Sequence, residues 1–225
     1  MPIPIDHLIH SGRKTISLVI QPDGTLTVRA PLRMSEIYIR EFVQNHAKWI
    51  RKHQAQAIAS PPPPVKHYLD GELFLYLGKE YPLTIVELRK PALAFNGYQF
   101  NLAFSNLLKA RQVFVLWYKA QARTVISQRV AFQSKLNNFT YQKIHISSAR
   151  TRWGSCSANG TLSFTWRLVM APLEILDYVV VHELVHTQIK NHSRKFWQGL
   201  AEILPEYKTR VRWLKKNSKY LTLPD

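Results

Sequence analysis

A chain of 225 residues, 46% apolar and 12% aromatic, can bury a sizeable core in one large or two small domains. Its opening residues lack a basic start followed by an apolar run, no stretch is long enough to span a bilayer, and its lone cysteine, Cys156, has no internal disulfide partner. Secreted and membrane-spanning classes are thereby set aside for a cytoplasmic expectation, while a formal net charge of +17 points to polyanions such as nucleic acid, phosphorylated small molecules or anionic membrane surfaces.

In chain order, Ile16, Leu18 and Ile20 alternate with polar neighbours, Pro22-Asp23-Gly24 supplies a turn, and Leu26, Val28 and Ala30 resume the alternation. That pattern predicts a hairpin. Ser35 suits a helix cap, and Ile39, Phe42, Val43, Ala47, Trp49 and Ile50 give one helix that ends before Ser60. Pro61 to Pro64 predict a stiff extended linker, with a proline-reading partner as an alternative use. Period two returns at Leu73 to Leu77 and Tyr81 to Glu87 around Gly78-Lys79, then at Ala92 to Phe95 and Tyr98 to Ala103 around Asn96-Gly97. From Asn106 to Leu136 the apolar spacing predicts one long helix. Strands follow at Lys143 to Ser148 and Thr161 to Val169, joined by Arg150 to Ser157, which is a candidate edge strand for an extended peptide. Cys156 within it is either a reactive thiol or a small apolar group.

Pro172, Glu174 and Asp177 mark the start of the next helix, which carries Ile175, Leu176, Val179, Val180, Val181, Leu184 and Val185 on nearly all sides. A helix apolar all round is a buried one. Into it are set His182, Glu183 and His186 in the pattern HExxH, whose histidines, four residues apart, lie on one helical face and can share one ion. A catalytic zinc takes three protein ligands and leaves a fourth place for water. His192 is the candidate third ligand, swung back by a turn at Asn191, a residue that tolerates the left-handed conformation. Glu183 would flank the ion and take a proton from its water. Ser193 and Pro205 open two further helices, whose Phe196, Trp197, Leu200, Tyr207, Val211, Trp213 and Leu214 are expected to pack beneath the metal loop. From Lys190 onward Lys190, Arg194, Lys195, Lys208, Arg210, Arg212, Lys215, Lys216 and Lys219 outnumber Glu202, Glu206 and Asp225, so this part is a solvated basic face or a nucleic-acid surface.

Arg152-Trp-Gly-Ser-Cys156, Trp166-Arg-Leu-Val-Met-Ala-Pro172, Asp177 through His186, and Asn191-His-Ser193 with Phe196-Trp197 together resemble the YgjP-like metallopeptidase family. This family of metal-dependent hydrolases is similar to the WLM and SprT minimal zincins. Asp23-Gly24, Val28-Arg-Ala-Pro31, Asp70-Gly-Glu72 and Tyr76-Leu-Gly78 extend the likeness, which runs from about Arg13 to Leu214. The spacing to His192 equals that of the metzincins, but Ile189 stands where those enzymes place glycine. Period two places an antiparallel β-rich lobe with one helix and the proline linker over 1–104, and the resemblance implies a minimal zincin-like domain over 105–225 with the HExxH helix on a small sheet, an α+β fold in all. It implies one Zn2+ ion on His182, His186 and His192 and Glu183 as catalytic base in a metallopeptidase, while the residues themselves leave manganese or nickel open in place of zinc. Arg152, Trp153, Arg167 and Tyr207 are the candidate substrate-binding residues. Two alternatives stay open: a nucleoside triphosphate (UTP-type) pyrophosphatase at the same centre, and a nucleic-acid-associated module with structural zinc.

Overall fold

The computed structural model describes residues 2–21, 23–59, 65–87 and 90–223, so Pro22 of the first turn and the expected linker Pro61 to Pro64 lie outside the described residues. It divides into two compact units, Met1–Pro63 and Pro64–Asp225. Among the described residues no helix is long and apolar enough to cross a membrane.

In the first unit β2 (Ser17–Ile20) and β3 (Leu26–Pro31) form the expected antiparallel hairpin, and β1 (His7–Ser11) adds to β3 in parallel. The short β1 lacks a two-residue alternation of its own and is recruited by β3. Ser35 caps α1 (Glu36–Asn45), its hydroxyl accepting from the Tyr38 N–H at 3.4 Å. The single expected helix is two, because at His46 the backbone leaves helical geometry (φ −102°, ψ 13°) before α2 (Ala47–Ile58) begins. The His46 Nδ1 engages the Phe42 carbonyl at 2.7 Å, local competition of the kind that ends helices. Leu26, Val28, Ala30, Ile39, Val43 and Ile50 are wholly buried as this unit's core.

Among its described residues the second unit holds two small mixed sheets and four α-helices. Strands β4 (Leu73–Tyr76), β5 (Lys79–Val86), β6 (Leu93–Phe95) and β7 (Phe100–Ala103) lie in the order β4-β5-β7-β6, with β5 and β7 parallel. A 3-10 turn over Phe104–Lys109 precedes α3 (Ala110–Leu136). The second sheet, β8 (Lys143–Ser147), β9 (Gly154–Cys156) and β10 (Thr161–Thr165), has the order β8-β10-β9, which makes β9 an edge. The strand expected to reach Val169 stops at Thr165 and turns into a 3-10 segment, Trp166–Met170, whose five residues are all buried. Then come α4 (Leu173–Gln188), α5 (Arg194–Ile203) and α6 (Tyr207–Asn217).

The expected boundary at 104/105 falls inside this second unit. Strand period assigned the four-stranded sheet to the amino-terminal lobe, but its aromatic residues bury against α3: Phe74 stacks on Phe114 at 4.2 Å, and the Tyr118 hydroxyl donates to the Leu75 carbonyl at 2.6 Å. Aromatic rings of that size dominate core energetics, so packing overrules chain order. The turn between β4 and β5 is anchored too, with Leu77 and Gly78 N–H groups donating to the Val169 and Met170 carbonyls at 2.8 and 3.1 Å. A Cβ on Gly78 would meet Pro172 at 2.7 Å. The turn thus rests on the cap of α4, and a bidentate pair between Arg129 of α3 and Asp177 of α4 (2.6 and 2.7 Å) ties the same helix to α3.

Candidate metal centre

Helix α4 is the expected buried helix, with Leu176, Val180, Val181 and Leu184 fully enclosed. Its apolar surround dictates the state of the polar groups set into it. His182, half-buried, is held down to about 3, by burial first and then by repulsion from His186 and His192. His186 is lowered as well, again mainly by burial. Both rings are therefore neutral, the form in which imidazole binds a metal.

His192 joins them from the loop after α4. The chain leaves the helix through Ile189 in an extended conformation (φ −122°, ψ 103°), and among the described non-glycine residues only Tyr68, Leu77 and Asn138 have positive φ. The expected left-handed turn at Asn191 is therefore not the device. Ile189 does the work in backbone geometry open to any residue, which is why the glycine of the metzincin loop is not needed. Asn191 contributes instead through its side chain, accepting from the Ser193 N–H at 3.2 Å. The Ile189 carbonyl accepts from His186 Nδ1 at 2.9 Å, which assigns the proton to Nδ1 and turns the Nε2 lone pair outward. Behind the rings, Phe196 stacks on His186 (centroids 4.4 Å) and Trp197 on His192 (5.6 Å), and the Trp197 indole N–H donates to the His192 carbonyl at 3.1 Å. Those aromatics lie where the sequence put them.

The result is a convergence of three nitrogens. The candidate ligand atoms of His182, His186 and His192 lie within 4.8 Å of one another, and the Nε2 of His192 stands 3.0 Å from that of His186 and 3.1 Å from that of His182. Two nitrogens each about 2.0–2.1 Å from a tetrahedral zinc are about 3.3 Å apart, close to these separations. Protons alone cannot satisfy such a cluster, since a hydrogen on one ring serves one neighbour and leaves other lone pairs opposed. A shared cation removes the conflict, so the donor set fits a metal ion.

Glu183, 5% exposed and next to His182 on α4, packs against the edge strand β9. A Cβ on Gly154 would come within 2.6 Å of both Cγ and Oε1 of Glu183, so only glycine admits the carboxylate there. Its Oε2 is buried without a hydrogen-bond partner among the described residues. Burial pushes the carboxyl up to about 8, against the opposing pull of the Arg152 charge. Tyr178, one turn before His182 and 7% exposed, is pushed up to about 12 by burial and then by Glu183 and Tyr207, and its ring meets His182 edge-on at 5.9 Å.

Of the candidate substrate residues, Arg152 acts electrostatically on Glu183, and Tyr207 stacks on Trp197 at 5.5 Å, one ring away from His192. Arg167, 6% exposed, donates to the Ser148 and Ala149 carbonyls at 3.0 and 3.4 Å and stacks on Trp166. It lines a pocket with Arg152 and Trp153 that includes none of the three histidines. Cys156 is half-buried and its thiol is pushed up, mainly by burial, which favours the small apolar group over the reactive thiol. Sequence reasoning missed Gly154 and Tyr178. Tyr178 had a signal, its four-residue spacing before His182, whereas nothing along the chain ties Gly154 to Glu183.

A family model described as YgjP-like, metallopeptidase domain, matches residues 14–217. Among solved structures, the metallopeptidase zymogen abylysin of Pyrococcus abyssi is similar with TM-score 0.37 and 18% identity, covering 40% of this chain and 93% of that one. No curated protein matches significantly.

Proposed function

The chain belongs to the YgjP-like metallopeptidase family of metal-dependent hydrolases, and from that premise we propose that it is a zinc peptidase in which His182, His186 and His192 hold the ion and Glu183 is the general base. The observation that carries this reading is the meeting of three imidazole nitrogens beside a buried carboxylate with an unpartnered oxygen. A divalent ion held there would supply a Lewis acid that acidifies water, polarises a carbonyl and, by its own charge, pulls Glu183 below its value of about 8.

Glu183 does the proton work. A carboxyl lifted toward neutral pH can accept a proton from water and return it to the departing amine. Gly154 keeps the edge strand close enough for an extended polypeptide, paired along β9, to lie against that carboxylate. Arg152 and Tyr207, and with them Tyr178, are the donors suited to a developing oxyanion; Tyr178 stays protonated at working pH because burial holds it near 12.

Hydrolysis of a nucleoside triphosphate would use the same three histidines and the same base, so substrate alone separates the two enzymes. A binding module with structural zinc is favoured less: structural sites take four protein ligands, whereas among the described residues three histidines gather here and His192 faces solvent. The test is hydrolysis by metal-loaded protein of unfolded polypeptide and, separately, of nucleoside triphosphates, with Glu183→Gln in parallel. The peptidase reading expects polypeptide cleavage that Glu183→Gln abolishes while metal content is unchanged. Triphosphate cleavage alone would transfer the same machinery to the rival substrate, and salt-sensitive DNA binding with no hydrolysis would leave the binding module.

A further inference from the structure

At the opposite end of α4 from His186, where the turn between β4 and β5 meets the cap of α4 and the end of α6, lies a pocket of about 440 Å3. Leu75, Met170, Pro172, Leu221, Trp213 and Glu80 are among its lining residues, and Glu80 is the one charged group there among the described residues. We propose that this pocket is a binding site for a small primary amine, an ammonium group carried on an apolar body.

Size admits a whole small molecule, since ligand pockets run to about 300–1,000 Å3. Strand register aims the carboxylate. Glu80 pairs with Leu75 across the β4–β5 ladder, so the two side chains share one face of the sheet, and both line the pocket. Among the described residues the Glu80 carboxylate has neither ion pair nor hydrogen bond. Helix spacing supplies a second acceptor. Trp213 and Asn217, four residues apart on α6, lie on one helical face, and the Asn217 Nδ2 donates to the Trp213 carbonyl at 2.9 Å, which leaves Oδ1 to accept.

Two acceptors call for a donor with several hydrogens, and an ammonium has three. The ring of Trp213, half-buried and without a ring or cation partner among the described residues, is the aromatic surface best suited to a cation. Tyr220 also lines the pocket, but the Lys219 ammonium already covers its ring at 4.7 Å, so that contact is assigned to Trp213. Leu75, Met170, Pro172 and Leu221 then wall the apolar body. A chain of net charge +17 repels cations over most of its surface, so saturable amine binding reports a local carboxylate and not the overall field. Pro172 precedes His182 by ten residues of α4, about 15 Å along the axis, so the site is independent of the metal centre and of the hydrolase reading.

The experiment titrates 2-phenylethylamine into the full chain by calorimetry, once loaded with zinc and once stripped, alongside its neutral analogue 2-phenylethanol. The variants are Glu80→Gln, Trp213→Leu and, as a carboxylate control on α5, Glu202→Gln; thermal melts check that each folds. One saturable site is expected in both metal states, weakened at least about tenfold by Glu80→Gln, about threefold by Trp213→Leu, and within about twofold of the parent in the control. The alcohol should bind at least about tenfold more weakly than the amine. Nα-acetyl-lysine amide presents the same ammonium as a polypeptide side chain would, and weaker binding than 2-phenylethylamine supports a small molecule as the source, whereas tighter binding would refute it. Amine binding that needs zinc would place the ligand on the metal and overturn the proposal, as would equal binding of amine and alcohol, equal loss in Glu80→Gln and Glu202→Gln, or no saturable binding. Should Trp213→Leu fail to fold, Glu80→Gln, an exposed position, decides by the same criteria.

Discussion

Replacing Gly154 by alanine probes the join between the edge strand and the Glu183 carboxylate, the base of the proposed reaction. The new Cβ would sit 2.6 Å from Cγ and Oε1 of Glu183 and 2.8 Å from Cδ, where unstrained carbon contacts are about 3.5–4.0 Å, so the carboxylate or the strand must move by about 1 Å. The strand is held, since Gly154 pairs with Phe164 across the ladder and the Thr165 N–H donates to the Trp153 carbonyl at 3.0 Å. Glu183, 5% exposed, therefore takes most of the displacement. A shift of that size in a reacting group costs on the order of 10²-fold in rate, about 2.7 kcal/mol of barrier, and overpacking costs about 1–3 kcal/mol of stability. The three histidines belong to α4 and its following loop, so metal affinity should not change. The assay measures cleavage of unfolded polypeptide at known zinc occupancy, with chelator competition for affinity, a thermal melt for folding, and Ser155→Ala as a neighbouring control. A folded, metal-loaded Gly154→Ala protein with activity within about twofold of the parent would refute the argument. So would a loss of activity that tracks loss of metal.

Trp197→Phe removes the indole N–H that binds the His192 carbonyl while keeping an aromatic face, and metal affinity should fall by about 10–100-fold, read by competition with a chromophoric chelator. Arg129→Met leaves Asp177, 14% exposed, without its bidentate partner, and should lower stability by about 1–3 kcal/mol in urea denaturation, between the costs of exposed and fully buried pairs. In metal-stripped protein, the folded pKa of Glu183 near 8 exceeds its ordinary 4.5, so the unfolded state is the first to lose this proton as pH rises. Stability from this group is complete below about 4.5 and declines until about 8, by at most about 5 kcal/mol, and Glu183→Gln should abolish that decline in melts across the range. His182 has the opposite sign: its folded value near 3 lies below 6.5, so stability falls as pH drops through that interval, and His182→Gln should flatten the acid limb of the same melts.

Spacing along the chain was enough to find what one helix carries by itself. His182 and His186 share a face because four residues make about one turn, and the apolar residues around them announced a buried helix. The long helix after the strands, the two hairpins around Asp23-Gly24 and Asn96-Gly97, and the aromatic floor of Phe196 and Trp197 were legible for the same reason, since each is set by neighbours in sequence. What required the tertiary structure is everything that joins distant segments. The four-stranded sheet belongs with α3 because its rings bury there; the return of His192 comes from an extended Ile189 and not from a left-handed Asn191; and Gly154 matters only because α4 brings Glu183 against it. Local periodicity determines which face a side chain shares, whereas packing between segments far apart in sequence determines what that face meets, and catalysis depends on the second.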